Sequence, residues 1–402
     1  EVNLTPEAGN LIGQAFAIWL GRKKQKAVTD LRIGIGHDSR ITAQSLYEAV
    51  AKGLTVQGAT AYYCGLVSTP SMFMTTVFEE FTFDGAIMIT ASHLPFNRNG
   101  YKFFDRDGGL EHDDITEVLK IASELSVADA DISGVETVDS ISVYCDFLKD
   151  KIKKSIQAQE YDTPLKDLHV VVDTGNGAGG FFVDKVLKPL GADTSGSQFL
   201  EPDGMFPNHA PNPENREAME SISSQVIKTG ADLGLIFDTD VDRSSAVDEQ
   251  GREIARNSIV AMAAALVSED HPGTTVVTDS ITSRQLTEFL ENNLGLNHLR
   301  YKRGYKNVIN KAIELNRAGT DCQLAIETSG HAALQENYFL DDGAYLAAKI
   351  VIKAARLKQE GRPISSVLAD LEDPADEKEV RIPIKTEDFG AYGDQVLSDL
   401  KD

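Results

Sequence analysis

Short apolar runs that end abruptly in Gly, Asp, Ser or Thr recur six times along the chain. Such runs predict strands feeding loops at the carboxyl edges of α/β sheets. Leu31-Arg32-Ile33-Gly34-Ile35-Gly36 runs into His37-Asp38-Ser39-Arg40, and Ala86-Ile87-Met88-Ile89 into Thr90-Ala91-Ser92-His93. His169-Val170-Val171-Val172 precedes Asp173-Thr174-Gly175-Asn176-Gly177, and Leu233-Gly234-Leu235-Ile236-Phe237 precedes Asp238-Thr239-Asp240-Val241-Asp242. Thr275-Val276-Val277-Thr278 leads to Asp279-Ser280, and Leu324-Ala325-Ile326 to Glu327-Thr328-Ser329-Gly330-His331. Members of each pair lie roughly 50–65 residues apart with helical patterning between, which predicts one α/β unit used three times. The spacing predicts helices over 43–53, 114–125, 215–229, 259–268, 283–293, 307–316 and 344–360, with Thr42 and Ser283 as candidate caps. The small, acidic stretch Ser126 to Asp139 reads as a hinge or linker. A second acidic stretch, Asp370 to Glu379, precedes an expected strand at Val380-Arg381-Ile382-Pro383-Ile384, after which too few residues remain for a domain.

The length of 402 residues, at about 150 per domain, fits two to four domains. With 42% hydrophobic and 25% charged residues the chain has globular proportions, which excludes a largely disordered protein. Lys and Arg total 39 against 62 Asp and Glu, a net charge of −23 that excludes non-specific nucleic-acid or anionic-membrane binding. A phosphorylated substrate stays possible, because a metal ion or a few cations reverse the sign inside a cleft. Cys64, Cys145 and Cys322 are far apart and form neither a disulfide framework nor a zinc spacing. No apolar run is long enough to span a bilayer, and the first residues lack a secretory signal. The expected setting is soluble and reducing, cytoplasm or organelle matrix or stroma, and not secreted.

Four loops carry unusual chemistry. Ser92, at a strand end and followed by His93-Leu94-Pro95 and Asn99-Gly100-Tyr101-Lys102, suits a nucleophile or phosphate carrier, where a bland reading is a turn serine bonding its own backbone. Asp238, Asp240 and Asp242 alternate in one loop, an arrangement that lets three carboxylates converge on a hard cation such as Mg²⁺. The rival is a solvated acidic turn. Glu327-Thr328-Ser329-Gly330-His331 offers groups for gripping sugar hydroxyls, or is simply a polar turn. Lys302-Arg303-Gly304-Tyr305-Lys306 is the densest basic cluster and could attract phosphate. Arg40, Lys102 and Arg243 add positive charge to the same prospective cleft. Asp341-Asp342-Gly343 reads as a helix cap, and Asp173-Thr174-Gly175-Asn176-Gly177 lacks the spacing of a nucleotide loop.

Thr-Ala-Ser92-His, Asn99-Gly-Tyr-Lys102, the Asp238/Asp240/Asp242/Arg243 loop, Glu327-x-Ser329-Gly-His331 and Asp341-Asp-Gly occur here in the order seen in the α-D-phosphohexomutases. Asp173–Gly177 and Asp203-Gly204-Met205-Phe206-Pro207-Asn208-His209 resemble two further signatures of that family. The resemblance covers nearly the whole chain and implies three tandem similar α/β domains with mixed sheets, plus the start of a fourth, α+β domain. The corresponding boundaries are 1–140 (phosphoserine), 141–256 (metal loop), 257–372 (sugar recognition) and 373–402 (a truncated phosphate-binding domain). It also implies that the family's opening strand would precede Glu1 and its C-terminal phosphate loop would follow Asp402. The implied activity is Mg²⁺-dependent, reversible transfer of phosphate between the 1- and 6-positions of a hexose phosphate, through a phosphoserine and a sugar 1,6-bisphosphate. Ser92 would be the phosphoserine, and Asp238, Asp240, Asp242 and the serine phosphate would hold the metal. His93, Lys102 and Arg243 would complete the catalytic set; Glu327, Ser329, His331, Lys302, Gly304 and Arg40 would bind substrate. No nucleic acid or membrane partner is expected, and the protein would be a monomer or weak dimer.

Several positions depart from the family pattern. Leu94 stands where Asn is usual, Thr239 and Val241 where glycines are usual, Ser280-Ile281 where a Lys follows the third-domain Asp, and Tyr305 where a His follows the Lys-x-Gly turn. Two readings therefore remain besides a glucose/mannose-type mutase: a phosphoglucosamine mutase, and a catalytically inactive binding or assembly protein on the same fold.

Overall fold

The computed structural model describes residues 4–374, 376 and 383–401. The chain enters through helix α1 (Pro6–Lys24), outside the helices expected from periodicity. Its side chains from Ala15 to Ala17, with Trp19 and Leu20, are buried, so it lacks the polar face that makes a helix visible by pattern. Its start is nonetheless encoded, since Thr5 accepts from the Ala8 amide and Pro6 fills the first turn.

Strand β1 (Arg32–His37), helix α2 (Ala43–Val56), β2 (Thr60–Leu66), α3 (Thr69–Met74), β3 (Gly85–Ile89), β4 (Tyr101–Asp105), β5 (Gly108–Gly109), α4 (His112–Ser123), β6 (Glu136–Thr137) and α5 (Ser140–Ile156) follow. The strands form one sheet in the order β5-β4-β3-β1-β2-β6. Next come β7 (Val170–Asp173), α6 (Arg216–Thr229), β8 (Leu233–Phe237), β9 (Ser244–Asp248) and β10 (Glu253–Ile254), whose strands order as β10-β9-β8-β7. The third set is α7 (Asn257–Asp270), β11 (Thr275–Asp279), α8 (Arg284–Glu288), β12 (Asn297–Tyr301), α9 (Tyr305–Arg317), β13 (Cys322–Ile326), β14 (Ala332–Leu334) and α10 (Gly343–Gln359), with strand order β12-β11-β13-β14.

All three sheets repeat one device. A parallel pair (β1/β3, β7/β8, β11/β13) is followed by an antiparallel return, β3 to β4, β8 to β9 and β13 to β14. The serine, triple-aspartate and Glu-Thr-Ser-Gly-His loops are that return in the first, second and third sheet respectively. The chemical loops are thus one topological position used three times.

Side chains alternate across each sheet with the two-residue strand period. Ile33, Ile35, Ile87 and Ile89 face one core with α1 and α2, whereas Ala86 and Met88 face another. That second core also takes Val170, Val172, Leu233, Leu235, Val276, Leu324 and much of α7 and α10. It runs through all three sheets, and the whole forms one compact unit to Leu371. A second unit starts at Glu372 and carries α11 (Phe389–Asp399).

Two expectations change. The stretch Ser126 to Asp139 is no free hinge: Asn10 donates to the Ala128 carbonyl (2.9 Å), Gln14 to that of Ser126 (3.1 Å), and Glu136–Thr137 adds an edge strand beside β2. Thr42 sits at the helix start, but its hydroxyl caps nothing and accepts from Asn99 Nδ2 (2.9 Å) instead. Ser283 does cap α8, accepting from the Leu286 amide at 3.0 Å. The strand expected at Val380 to Ile384 falls in its first three residues outside the described ones. Among the described residues no helix is long and apolar enough to cross a membrane.

Candidate active site

The serine loop leaves β3 at Thr90. Ser92 has φ of +51°, a left-handed conformation that costs a residue with a Cβ about 1 kcal/mol, and such strain persists only where the surroundings impose it. They do so from both sides. The Ser92 amide donates to Thr90 Oγ1 (2.9 Å), and Thr90 Oγ1 donates to Asp38 Oδ2 (2.7 Å). The Ser92 carbonyl accepts from Arg40 Nη2 at 2.5 Å. With its backbone so held, Ser92 Oγ lies 3.0 Å from Asp238 Oδ2 and 3.3 Å from His93 Nδ1. Burial, with Arg243 nearby, lowers the His93 imidazole to about 4, so it is neutral at pH 7.

Arg40 was expected to meet substrate, and the structure places it elsewhere. It is 2% exposed, and its two Nη atoms donate to the carbonyls of Ser92, Leu94 (2.6 Å), Pro95 (2.8 Å) and Arg98 (2.9 Å), while Nε lies 3.2 Å from Asp38. No Nη donor faces the cleft unpaired.

Asp238, Asp240 and Asp242 each bring one carboxylate oxygen within 4.8 Å of the others, all buried. Val241, between them, has φ of +66°, unusual for a β-branched residue and the reason glycine suits this position. Burial and its two neighbours push the Asp238 carboxyl well above the usual range, against the pull of Arg243 and Lys102. Asp242 is held below it: burial opposes ionisation, but Lys102, His331 and Arg243 outweigh that cost. Lys102 Nζ meets Asp240 Oδ2 at 2.7 Å and Asp242 Oδ2 at 2.5 Å, and despite burial these carboxylates keep it protonated. Arg243, 1% exposed, sets Nε 3.2 Å from Asp238 Oδ2. Two oxygens, Asp240 Oδ1 and Asp242 Oδ1, are buried with no hydrogen-bond partner. Unpartnered buried carboxylate oxygens are costly, and a hard divalent cation with oxygen ligands fits them.

In the third loop Glu327 Oε1 accepts from the Gly304 amide (2.5 Å) and Oε2 from Ser329 Oγ (3.4 Å). Gly304 has φ of +118°, a turn that brings the basic segment to Glu327. His331 Nδ1 is 2.5 Å from Asp341 Oδ2; burial opposes its charge, but the Asp341 carboxylate wins and pushes it up to about 9. Main-chain pairing of Arg243 with His331 joins the second loop to the third. Lys302 is exposed, as are Leu94 (46%) and Ile281 (54%), whereas Tyr305 stacks on His331 with ring centroids 4.9 Å apart. Leu94 and Ile281 therefore point to solvent, whereas Tyr305, like the buried Thr239 and Val241 between the aspartates, is part of the site.

Sequence reasoning missed three partners. Thr69 donates its amide to the Asp240 carbonyl (2.8 Å) and its hydroxyl to Asp240 Oδ2; the signal was Ser68-Thr69-Pro70, where Ser68 caps α3. Glu214 lies 3.5 Å from Arg243 and 4.0 Å from Arg303, and nothing local marked it. Asp341 was read as part of a helix cap; Asp342 alone caps α10, accepting from Tyr345 N (2.9 Å), and Asp341 serves His331.

Residues 1–127, 142–251 and 255–374 match the family models of phosphoglucomutase/phosphomannomutase α/β/α domains I, II and III. The phosphoglucomutase of Neisseria gonorrhoeae is 30% identical over 399 residues, 99% of this chain and 80% of the relative. A phosphoglucosamine mutase of Clostridium kluyveri is 30% identical over 376 residues, 90% of this chain and 77% of the relative. The crystal structure of a phosphoglucomutase/phosphomannomutase family protein from Burkholderia thailandensis is similar with a TM-score of 0.76 at 26% identity, covering 92% of this chain and 76% of that one.

Proposed function

The chain belongs to the phosphoglucomutase/phosphomannomutase family and is a phosphohexomutase, an intramolecular phosphotransferase; from that premise we propose that Ser92 carries the phosphoryl group between the 1- and 6-positions of a glucose- or mannose-type phosphate. The observation that carries this reading is a strained Ser92 whose Oγ lies 3.0 Å from Asp238, inside a cluster that already holds Lys102 and Arg243. In the first half-reaction the phosphorus–oxygen bond to Ser92 Oγ breaks as one to a sugar hydroxyl forms, and the hydroxyl proton leaves; in the second the bond from phosphorus to the other sugar oxygen breaks as one to Ser92 Oγ forms, and that sugar oxygen takes up a proton. The bisphosphorylated sugar then returns its other phosphoryl group to Ser92.

Phosphoryl transfer asks for positioning and charge neutralisation. Arg243, fixed against Asp238, and Lys102, held protonated, supply positive charge; Lys102 also has a proton to give. The neutral His93, 3.3 Å from Ser92 Oγ, can accept one. Asp238, Asp240, Asp242 and a phosphate oxygen would hold Mg²⁺, whose Lewis acidity neutralises charge on the transferring group. Glu327 and Ser329, with His331 behind them, would meet the sugar hydroxyls, and the Lys302–Gly304 turn its distal phosphate. On this reading 1–140 is the phosphoserine domain, 141–256 carries the metal loop, 257–372 recognises the sugar, and 373–402 begins a phosphate-binding domain.

Intact mass of the protein incubated with glucose 1,6-bisphosphate should show one phosphate, absent in Ser92→Ala. A panel of glucose, mannose and glucosamine phosphates with Mg²⁺ should give fastest turnover on the first two. A stoichiometric phosphate retained in Ser92→Ala would overturn the role of the serine. Preference for glucosamine phosphate would move the chain to that branch.

A further inference from the structure

A chemical reason for the strained serine backbone lies behind the loop rather than in the cleft. The segment from Ser92 to Arg98 wraps round the guanidinium of Arg40, which donates to four of its carbonyls, at 2.5 to 2.9 Å. Asp38 orients that guanidinium. It takes the Arg40 amide at 2.9 Å and the Thr90 hydroxyl at 2.7 Å, and its Oδ2 is 3.2 Å from Arg40 Nε. Thr90 in turn accepts from the Ser92 amide. Both peptide planes flanking Ser92 are therefore tied to one buried pair, and the aim of Oγ follows from them. The open face of the guanidinium is covered by the Phe206 ring, 5.2 Å from Arg40 Cζ. Phe206 is brought there because Gly204 presses on the Ser39–Ile41 backbone so closely that a Cβ would lie 2.5 Å from the Ser39 carbonyl oxygen. The Asp203–His209 motif, otherwise without a role in the site, thus closes the cage round Arg40.

We propose that Arg40 is a positioning residue for phosphoryl transfer: it holds Ser92 in its left-handed conformation so that Oγ meets the phosphorus in line, and touches no substrate itself. The proposal rests on the reading of Ser92 as phosphoryl carrier. A fork of donors is what the site uses, and lysine, with three donors on one point, cannot reproduce it. Displacing a reacting atom by about 1 Å costs about 100-fold in rate.

The test compares Arg40→Lys, Arg40→Ala, Thr90→Val and, as a control on the carrier, Ser92→Ala. In both Arg40 variants kcat should fall about 100-fold while KM for the sugar 1-phosphate stays within about threefold. Phosphorylation of Ser92 by glucose 1,6-bisphosphate, followed by intact mass, should slow in parallel. Added guanidinium ion should partly restore kcat in Arg40→Ala, whereas the same concentration of ammonium should not. Thr90→Val, which removes the same pin from the other side of Ser92, should reproduce the loss of kcat at constant KM and supplies the readout should the Arg40 variants fail to fold. A raised KM at unchanged kcat in Arg40→Lys would overturn the proposal in favour of substrate contact, and so would wild-type kcat in Thr90→Val. Turnover surviving in Ser92→Ala would instead refute the carrier itself, a distinct failure.

Discussion

Single residues decide whether the carboxylate cluster works and how much strain it stores. Asp240 has one oxygen on Lys102 and another buried without a partner, so Asp240→Asn should remove an ion pair and, on the proposed reading, a metal ligand. Its kcat is expected to fall at least about 100-fold and its Mg²⁺ affinity to drop, read by activity against metal concentration and by calorimetry. Val241 sets two terms against each other. Replacing it with glycine relieves about 1 kcal/mol of left-handed strain. It also removes a fully buried side chain that contributes about 2 kcal/mol and adds about 1 kcal/mol of backbone entropy. Val241→Gly should therefore lose about 1–2 kcal/mol in denaturant unfolding while keeping activity. His209 gives a pH signature. Its Nε2 is 2.9 Å from Asp173 Oδ2, and although burial opposes the charge, Asp173 raises its affinity for a proton. A raised folded value means that the pair contributes fully below the ordinary pH of about 6.5 and that its contribution is lost as pH rises through the folded value. The Tm advantage of wild type over His209→Gln should be largest near pH 6 and shrink towards pH 9.

At the scale of elements, the loops are placed by close approaches that only glycine permits. Gly177 lies where a Cβ would come within 2.6 Å of the Thr239 carbonyl oxygen, so the turn after β7 seats directly on the triple-aspartate loop after β8. Gly177→Ala should shift that loop, costing about 1–3 kcal/mol of stability and weakening Mg²⁺ binding more than substrate binding. A metal titration of activity checks this, and unchanged Mg²⁺ dependence would contradict it. The asparagine- and glycine-rich motif Asp173 to Gly177 was legible as a turn but not as a support, because its partner sits about sixty residues away in a different loop. Helices show the same division. Those with one polar face, such as α6 and α9, stood out by periodicity within a residue or two, whereas α1, buried on most sides, and the short α3 did not.

The three sheets are tied into one unit by a core that crosses them and by polar ties between distant elements. Tyr144 of α5 donates its hydroxyl to Asp342 Oδ1 (2.6 Å), the same buried aspartate that caps α10. Lys306 of α9 reaches the Gly109 and Leu110 carbonyls beside β5. Tyr144→Phe should lower stability by about 1–2 kcal/mol. Because the core is shared, calorimetry should show one transition for the unit to Leu371 moving down as a whole, rather than a split into separate steps.

The sequence by itself determined the six strand-and-loop joints, the alternation that gives each sheet two faces, and the residue types of the chemistry, because these depend on local period and on which side chains bind cations, phosphate or sugar. It singled out Ser92, Lys102, the three aspartates, Arg243, Glu327 and His331 as residues of one prospective cleft. Only the tertiary structure decided what each of them touches. Arg40 reads from the sequence as a substrate contact, whereas the structure buries it among the carbonyls of the serine loop. Thr69, Glu214 and Asp341 gained roles from contacts made across long loops. Charge and residue type are properties of a position, but the direction a side chain faces, and the water it loses, are set by everything packed around it.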